Sequence, residues 1–295
     1  MESPIAKESN KLALEYFVPI YGNYYHFMTE TALGLYRLLN EHGCVESKEC
    51  RLWYQGSYEA IVQMFSRYPI THIPISKPYI KSGAELDGSL KTLQHIRIFQ
   101  HPTGRADLVK LRDFLGRQIP YLPEQKGILV IKRCTKRAYH EHEELVTQLN
   151  QFGDPVRVAQ MEKLTFCDQV NIMRNSKILI APHGAGMLNM IFMDRGCRLI
   201  ELFPKGVENW HAGEIARLFG HQLVEIESQV EGPFHREPPD GVRRWIKQNG
   251  WPTRELGQKW RDAHKDIERA VRDVGEFSIP VKQVMLAFEK IIACN

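Results

Sequence analysis

Strand-length apolar runs alternate with helix-period patterns along most of the chain, and that alternation limits its fold more than any other feature. Runs at 12–18, 51–55, 94–100, 127–132, 155–159, 177–182, 198–203 and 222–226 predict strands. Helical patterns at 24–40, 57–67, 105–117, 141–151, 164–175, 187–193 and 209–219 lie between them. Strands separated by helices cannot pair as hairpins, so the order predicts an α/β fold with parallel sheets.

At 295 residues the chain is about twice ordinary domain size, so two domains are expected. The prolines and glycine of "GRQIPYLPEQKG" interrupt the alternation and place a boundary near residue 122. The expected division is a Rossmann-like domain over 1–122, a second over 123–240 and a basic helical tail over 241–295 carrying Trp245, Trp251 and Trp260. Residues 74–92, rich in Gly, Pro and Ser and without period, predict a long loop from the first domain.

A formal net charge of +4 is too small for a chain that wraps nucleic acid, so no such partner is expected. Six cysteines occur without a Cys-x-x-Cys pair, which points to reduced thiols rather than zinc; only Cys44 and Cys50 are close enough for a local bridge. No stretch reaches the ~18 apolar residues a membrane span needs, and no signal peptide opens the chain. A cytoplasmic location follows as the expectation.

The stretch "KILIAPHGAGMLNMIFM", 177–193, hands a buried strand to an apolar helical pattern through His183, Gly184, Ala185 and Gly186. In open parallel sheets, ligands gather beyond the carboxyl ends of strands. Two glycines there would admit a phosphate or sugar to the main chain, helix amides would face the anion, and His183 would add a donor. A tight turn needing only small residues explains the same pattern. Gly-x-Gly-x-x-Gly and Gly-Lys-Ser/Thr are both missing, which excludes dinucleotide and P-loop signatures. Arg133, Lys136 and Arg137 follow the strand "ILVIK", again at a carboxyl end.

"PHGAGMLNMIFMDRGCRLIELFP" resembles the signature of glycosyltransferase family 61. "YGNYYHFMTETALGLYRLL" is similar to the family's Asn-x-x-His-x-x-x-Glu helix, "VIKRCTKRAYHEHEEL" to its Arg-x-x-x-Arg segment and "LTFCDQVNIMRNSKILI" to its Gln-bearing helix. His140 stands where the family tends to have Asn, and the anchor of its eukaryotic secretory members is missing.

The resemblance implies a GT-B fold, with two Rossmann-like domains facing a central cleft and C-terminal helices crossing back to the first domain. It implies transfer of a sugar from a nucleotide donor, UDP-xylose or UDP-GlcNAc, to a glycan acceptor, with inversion. The nucleotide sugar is a co-substrate and no further cofactor is expected. A nucleotide-sugar site would comprise Arg133, Arg137, His183, Gly184, Ala185, Gly186, Asn189 and Glu201. The arginines would stabilise the departing diphosphate; Glu201 would accept bonds from the ribose hydroxyls or serve as a buried partner of His183.

His26 and Glu30, four residues apart on one helix face, supply the candidate base for the acceptor hydroxyl, with the choice between them open. No Asp-x-Asp occurs, and Glu85 and Asp87 are the one close acidic pair in a polar loop, so metal independence is expected. A non-catalytic nucleotide- or sugar-binding module is the alternative.

Overall fold

Every pair of neighbouring strands in the two main sheets of the computed structural model is parallel. The structure describes residues 14–18, 23–73, 91–94, 97–207 and 209–293. It divides into two units, Met1–Gln118 and Ile119–Asn295. The division falls upstream of the expected 122 because side chains of the second unit hold the proline-rich segment. Asn171 Nδ2 donates to Pro120 O at 3.1 Å, Leu122 N–H donates to Asn171 Oδ1 at 3.1 Å, and Asn175 Nδ2 donates to Leu122 O at 2.8 Å.

In the first unit, β1 (Leu14–Val18), β2 (Cys50–Tyr54), β3 (Thr71–His72) and β4 (Lys91–Thr92) lie in the order β3-β2-β1-β4. The order reverses at β1, which makes its carboxyl end a topological switch point. The helix that follows runs as α over Tyr24–His26, as π over Phe27–Ala32 and as α again over Leu33–Glu41. Asn23 caps it, accepting from Tyr25 N–H at 2.8 Å. Of the expected strand 94–100, residues 95 and 96 lie outside the described residues, and Ile98–Gln100 form a turn, with Gln100 N–H donating to Arg97 O at 2.9 Å. Pairing with β1 is made by β4 instead. Residues 74–90 of the expected loop, with Glu85 and Asp87, lie outside the described residues.

In the second unit β5 (Gly127–Ile131) is buried throughout, as a central strand covered on both faces should be. β6 (Ala138–Tyr139) leaves the main sheet, which continues with β7 (Val156–Ala159), β8 (Ser176–Pro182), β9 (Arg198–Phe203) and β10 (Gln222–Glu227) in the order β10-β9-β8-β5-β7. Renumbered within the unit, this is the doubly wound order 2-1-3-4-5, with its switch point between β5 and β8.

The tail helix Val281–Ala293 buries Val284, Met285, Phe288 and Ile291 against Ile128, Val130, Ile180, Ile200 and Leu202 of this same sheet. The apolar stripe of this helix is thus used within the second unit's own core. Trp245 and Trp260 meet with ring centres 5.4 Å apart and planes inclined at 51°, and Trp251 Nε1 donates to Lys205 O at 2.9 Å. β11 (Glu276–Phe277) pairs with β6.

The apolar pattern 187–193 is not an α-helix. Ala185–Phe192 is a 3-10 run lying between the helices Phe166–Arg174 and His211–Phe219. Its residues Met187–Phe192 are all buried, so apolarity all round reflects packing on several sides rather than an amphipathic face. Cys44, Cys50, Cys134, Cys167 and Cys197 are free thiols. Among the described residues no helix is long and apolar enough to cross a membrane.

Candidate functional site

The switch point between β5 and β8 brings together the two loops that the sequence marks. A Cβ placed on Gly184 would lie 2.1 Å from Arg133 Nη1, so the missing side chain at the turn is replaced by a guanidinium. Gly186 differs: its Cβ would meet nothing nearer than Met161 at 3.7 Å. Only the first glycine is needed for close approach.

Arg133 is tethered through Nε, which donates to Lys136 O at 2.9 Å, while Lys136 pairs with Asp273 at 3.0 Å. Arg137 has φ of 59°, left-handed backbone that a long side chain seldom adopts and that surrounding structure must impose. The tail imposes it: Arg137 N–H donates to Val274 O at 2.7 Å and Ala138 N–H to Gly275 O at 2.9 Å, just ahead of the β6–β11 pairing.

Both arginines are half-buried. Burial pulls their affinity for the proton down, that of Arg137 to about 10, and the neighbouring Arg133 charge adds to the effect. Arg137 Nε is buried with no acceptor. Neither guanidinium has a carboxylate within ion-pair distance among the described residues. Adjacent cations that no carboxylate pairs with directly leave a local positive potential suited to an anion.

His183 and Glu201 sit behind this pair. His183 Nδ1 and Glu201 Oε1 are 2.7 Å apart, with side-chain exposures of 7% and 0%. The imidazole stacks on Phe203 at 4.7 Å, and the Arg254 guanidinium lies 4.3 Å from the centre of the same ring. Burial, then the charges of Arg137, Arg272 and Arg133, hold His183 neutral down to about pH 3. Burial pushes the Glu201 carboxyl up to about 8 against the opposing pull of Arg254 and Arg137. Of the two roles open for Glu201, the structure places it as the partner of His183.

Asn189 is also buried, donating from Nδ2 to Gln169 Oε1 at 2.8 Å. Gln169 Nε2 in turn donates to Met161 O at 2.8 Å and Leu164 O at 3.1 Å. Asn189 therefore anchors the 3-10 run from behind. Ala185 and Gly186 head that run, ahead of its first bond, in which Met187 N–H donates to Gly184 O at 3.0 Å.

The other predicted pair belongs to the first unit. His26 Nδ1 and Glu30 Oε1 are 2.8 Å apart, with side-chain exposures of 48% and 11%. Glu30 lies inside the π segment, a rare geometry often found at functional sites. Among the described residues no group of three or more His, Cys, Asp or Glu side chains is placed to hold a metal ion.

The profile of the family described as Glycosyltransferase 61 matches residues 24–200, more than half of the chain. The chain belongs to glycosyltransferase family 61. Protein O-linked-mannose beta-1,4-N-acetylglucosaminyltransferase 2 of Mus musculus is 34% identical over 30% of this chain and 15% of its own length. The EGF domain-specific O-linked N-acetylglucosamine transferase of Drosophila melanogaster is 37% identical over 35% of this chain and 20% of its own. Alpha-1,3-arabinosyltransferase XAT3 of Oryza sativa subsp. japonica is 24% identical over 71% of this chain and 40% of its own. Each match spans less than half of the relative.

The family 61 match takes in His26, Glu30, both arginines and the whole Gly184 turn, and stops at residue 200. Glu201, Phe203, Arg254, Arg272 and the 273–275 clasp lie beyond it. Sequence reading missed the last four of these, because Phe203 reads as one more apolar strand residue and nothing in a basic helical tail signals which part folds back beside a sheet.

Proposed function

We propose that this chain is a sugar transferase whose nucleotide donor lays its diphosphate across Arg133, Arg137 and the Gly184 turn. The observation that carries the reading is the pair of neighbouring, half-buried guanidinium groups, neither ion-paired to a carboxylate among the described residues, at the switch point of the second sheet. As the bond from the anomeric carbon to the diphosphate oxygen breaks, negative charge grows on that oxygen. Preorganised cations then stabilise the transition state more than the bound donor. The same two charges support a metal-independent reaction, since they supply the neutralisation a divalent cation otherwise gives.

The acceptor hydroxyl attacks the anomeric carbon from the side opposite the leaving group, with inversion, and passes its proton to the His26–Glu30 pair. Family resemblance supports reading the two units as halves of a GT-B enzyme. The relatives' names favour N-acetylglucosamine or a pentose as the sugar, so UDP-GlcNAc and UDP-xylose are the donors to try first. The five cysteines among the described residues are free thiols, which fits a reducing compartment and supports a cytoplasmic location.

Protein-dependent release of UDP from a panel of UDP-sugars, with and without EDTA, tests the reading, alongside UDP binding by Arg133→Ala and Arg137→Ala. Turnover that survives EDTA and is lost with either arginine is the expected result. Full UDP affinity in both variants would remove the basis of the assignment, and UDP binding without turnover of any donor would favour the binding module.

A further inference from the structure

The buried His183–Glu201 pair has one proton whose position decides what the outer face of the imidazole can do. We infer that Glu201 is a positioning residue: as a neutral carboxylic acid it donates to His183 Nδ1 and so fixes His183 as an Nε2–H donor toward the diphosphate. The inference rests on the diphosphate reading above and adds to it the form in which the histidine works.

Geometry carries it. The 2.7 Å contact joins Nδ1 to Oε1, so Nδ1 is committed to Glu201 and only Nε2 is left for a ligand; Nε2 has no hydrogen-bond partner among the described residues. Glu201 is fully buried and its second oxygen, Oε2, meets no donor at all. An ionised carboxylate in that position would lack the hydrogen bonds that make burial of charge tolerable. Glu225 of β10 is its direct register neighbour and opposes a second negative charge there.

The cations facing the pair are engaged or turned elsewhere. Arg254, from the tail, bonds Glu225 at 3.1 Å and Glu227 at 3.2 Å. Arg137 makes no ion pair with Glu201, and Arg272 pairs with Glu268 at 3.4 Å. Arg133, Arg137 and Arg272 together oppose a positive imidazole, which disfavours the charge-separated form of the pair. What remains is the neutral pair, with one proton on the carboxyl oxygen and the ring's single proton on Nε2.

Removing one proton inverts the site. The carboxylate then accepts from Nδ1–H, and Nε2 is left as a bare lone pair facing the bound diphosphate. Affinity for a nucleoside diphosphate should therefore fall as pH rises past the ionisation of Glu201, which burial places near 8. One linked proton sets the limiting slope at about tenfold per pH unit.

The test uses the full chain labelled with ¹⁵N-histidine, with His183 assigned by loss of its signals in His183→Gln. Near neutral pH without ligand, the expected spectrum is a neutral ring protonated at Nε2. A ring protonated at Nδ1, or an imidazolium, overturns the inference. UDP titrations from about pH 6 to 9.5 form the second arm: wild-type affinity should drop through the alkaline range, and Glu201→Gln, whose amide cannot ionise, should flatten that drop. An alkaline drop of equal steepness in Glu201→Gln also overturns it. UDP failing to bind at any pH defeats the nucleotide reading separately, because the ring protons are read without ligand.

Discussion

Two histidine–glutamate pairs in this molecule share one bond and almost nothing else. In each, Nδ1 and Oε1 lie within 0.1 Å of the same separation, 2.8 Å for His26–Glu30 and 2.7 Å for His183–Glu201. The first spans one turn of a helix and leaves nearly half of its imidazole in contact with solvent, whereas the second bridges a strand end and the next strand with its carboxyl fully buried. Water reaches the first and screens its interactions. Around the second, low polarisability makes every charge expensive, so the proton settles where it leaves none. On the proposed reading, the same contact serves a proton acceptor in one unit and a fixed donor in the other.

The largest effects should come from breaking this division of labour. On the proposed reading, His26→Ala or Glu30→Gln should lower kcat by about 10²- to 10⁴-fold, the usual contribution of a positioned base, with UDP affinity retained. Arg137→Ala should act the other way round. It removes charge-assisted bonds worth about 1.5–3 kcal/mol each, so UDP affinity should fall by roughly 10- to 100-fold. Steady-state kinetics together with equilibrium UDP binding separates the two patterns. A fall in UDP affinity in His26→Ala equal to that in Arg137→Ala would erase the distinction.

Stability should divide the pairs in the opposite sense. His183→Ala strands a buried carboxyl and should cost about 1–3 kcal/mol, while His26→Ala loses an i,i+4 contact worth a few tenths of a kcal/mol. The pH dependence follows from the two shifts. Unfolded His183 takes a proton below 6.5 and the folded residue only near 3, so its contribution is lost as pH falls through that window. Glu201 is raised from 4.5 to about 8, so the folded state binds the extra proton and stability declines as pH rises between those values. Thermal melts from pH 5 to 8 should show Glu201→Gln gaining on the wild type as pH rises. A gap that does not change with pH would mean that Glu201 ionises normally in the fold.

Most of the framework could be read from the sequence because burial writes itself into local pattern. β5 and residues 178–182 of β8 are continuous apolar runs, and β9 is apolar apart from Arg198 and Glu201, as central strands of a parallel sheet tend to be. His183, Gly184, Arg133 and Arg137 were legible because carboxyl ends of such strands are where ligands gather. Three things were not. An eight-residue apolar stretch does not say whether it is α or 3-10, since both bury it equally well. Asn189 is conspicuous as a polar residue in an apolar run, yet its partner Gln169 lies on a separate helix. The tail's contribution at 272–275 depends on non-local pairing with the Arg137 loop, which no periodicity encodes.

The smallest effect sharpens the picture inside the buried corner itself, where two glycines two positions apart have different neighbours. At Gly186 a methyl group meets only Met161 at van der Waals distance, so Gly186→Ala should leave UDP binding and stability within about 0.5 kcal/mol of wild type. At Gly184 the methyl would take the space of Arg133 Nη1, but that atom ends a flexible side chain, and the fold can yield by moving the guanidinium rather than the backbone. Gly184→Ala should therefore melt almost like wild type while binding UDP several-fold more weakly, because Arg133 is turned from the anion. Combining it with Arg133→Ala should add little, since both changes remove one interaction. Additive losses in the double variant would mean that Gly184 matters through the main chain, and that the guanidinium resting on it is a bystander.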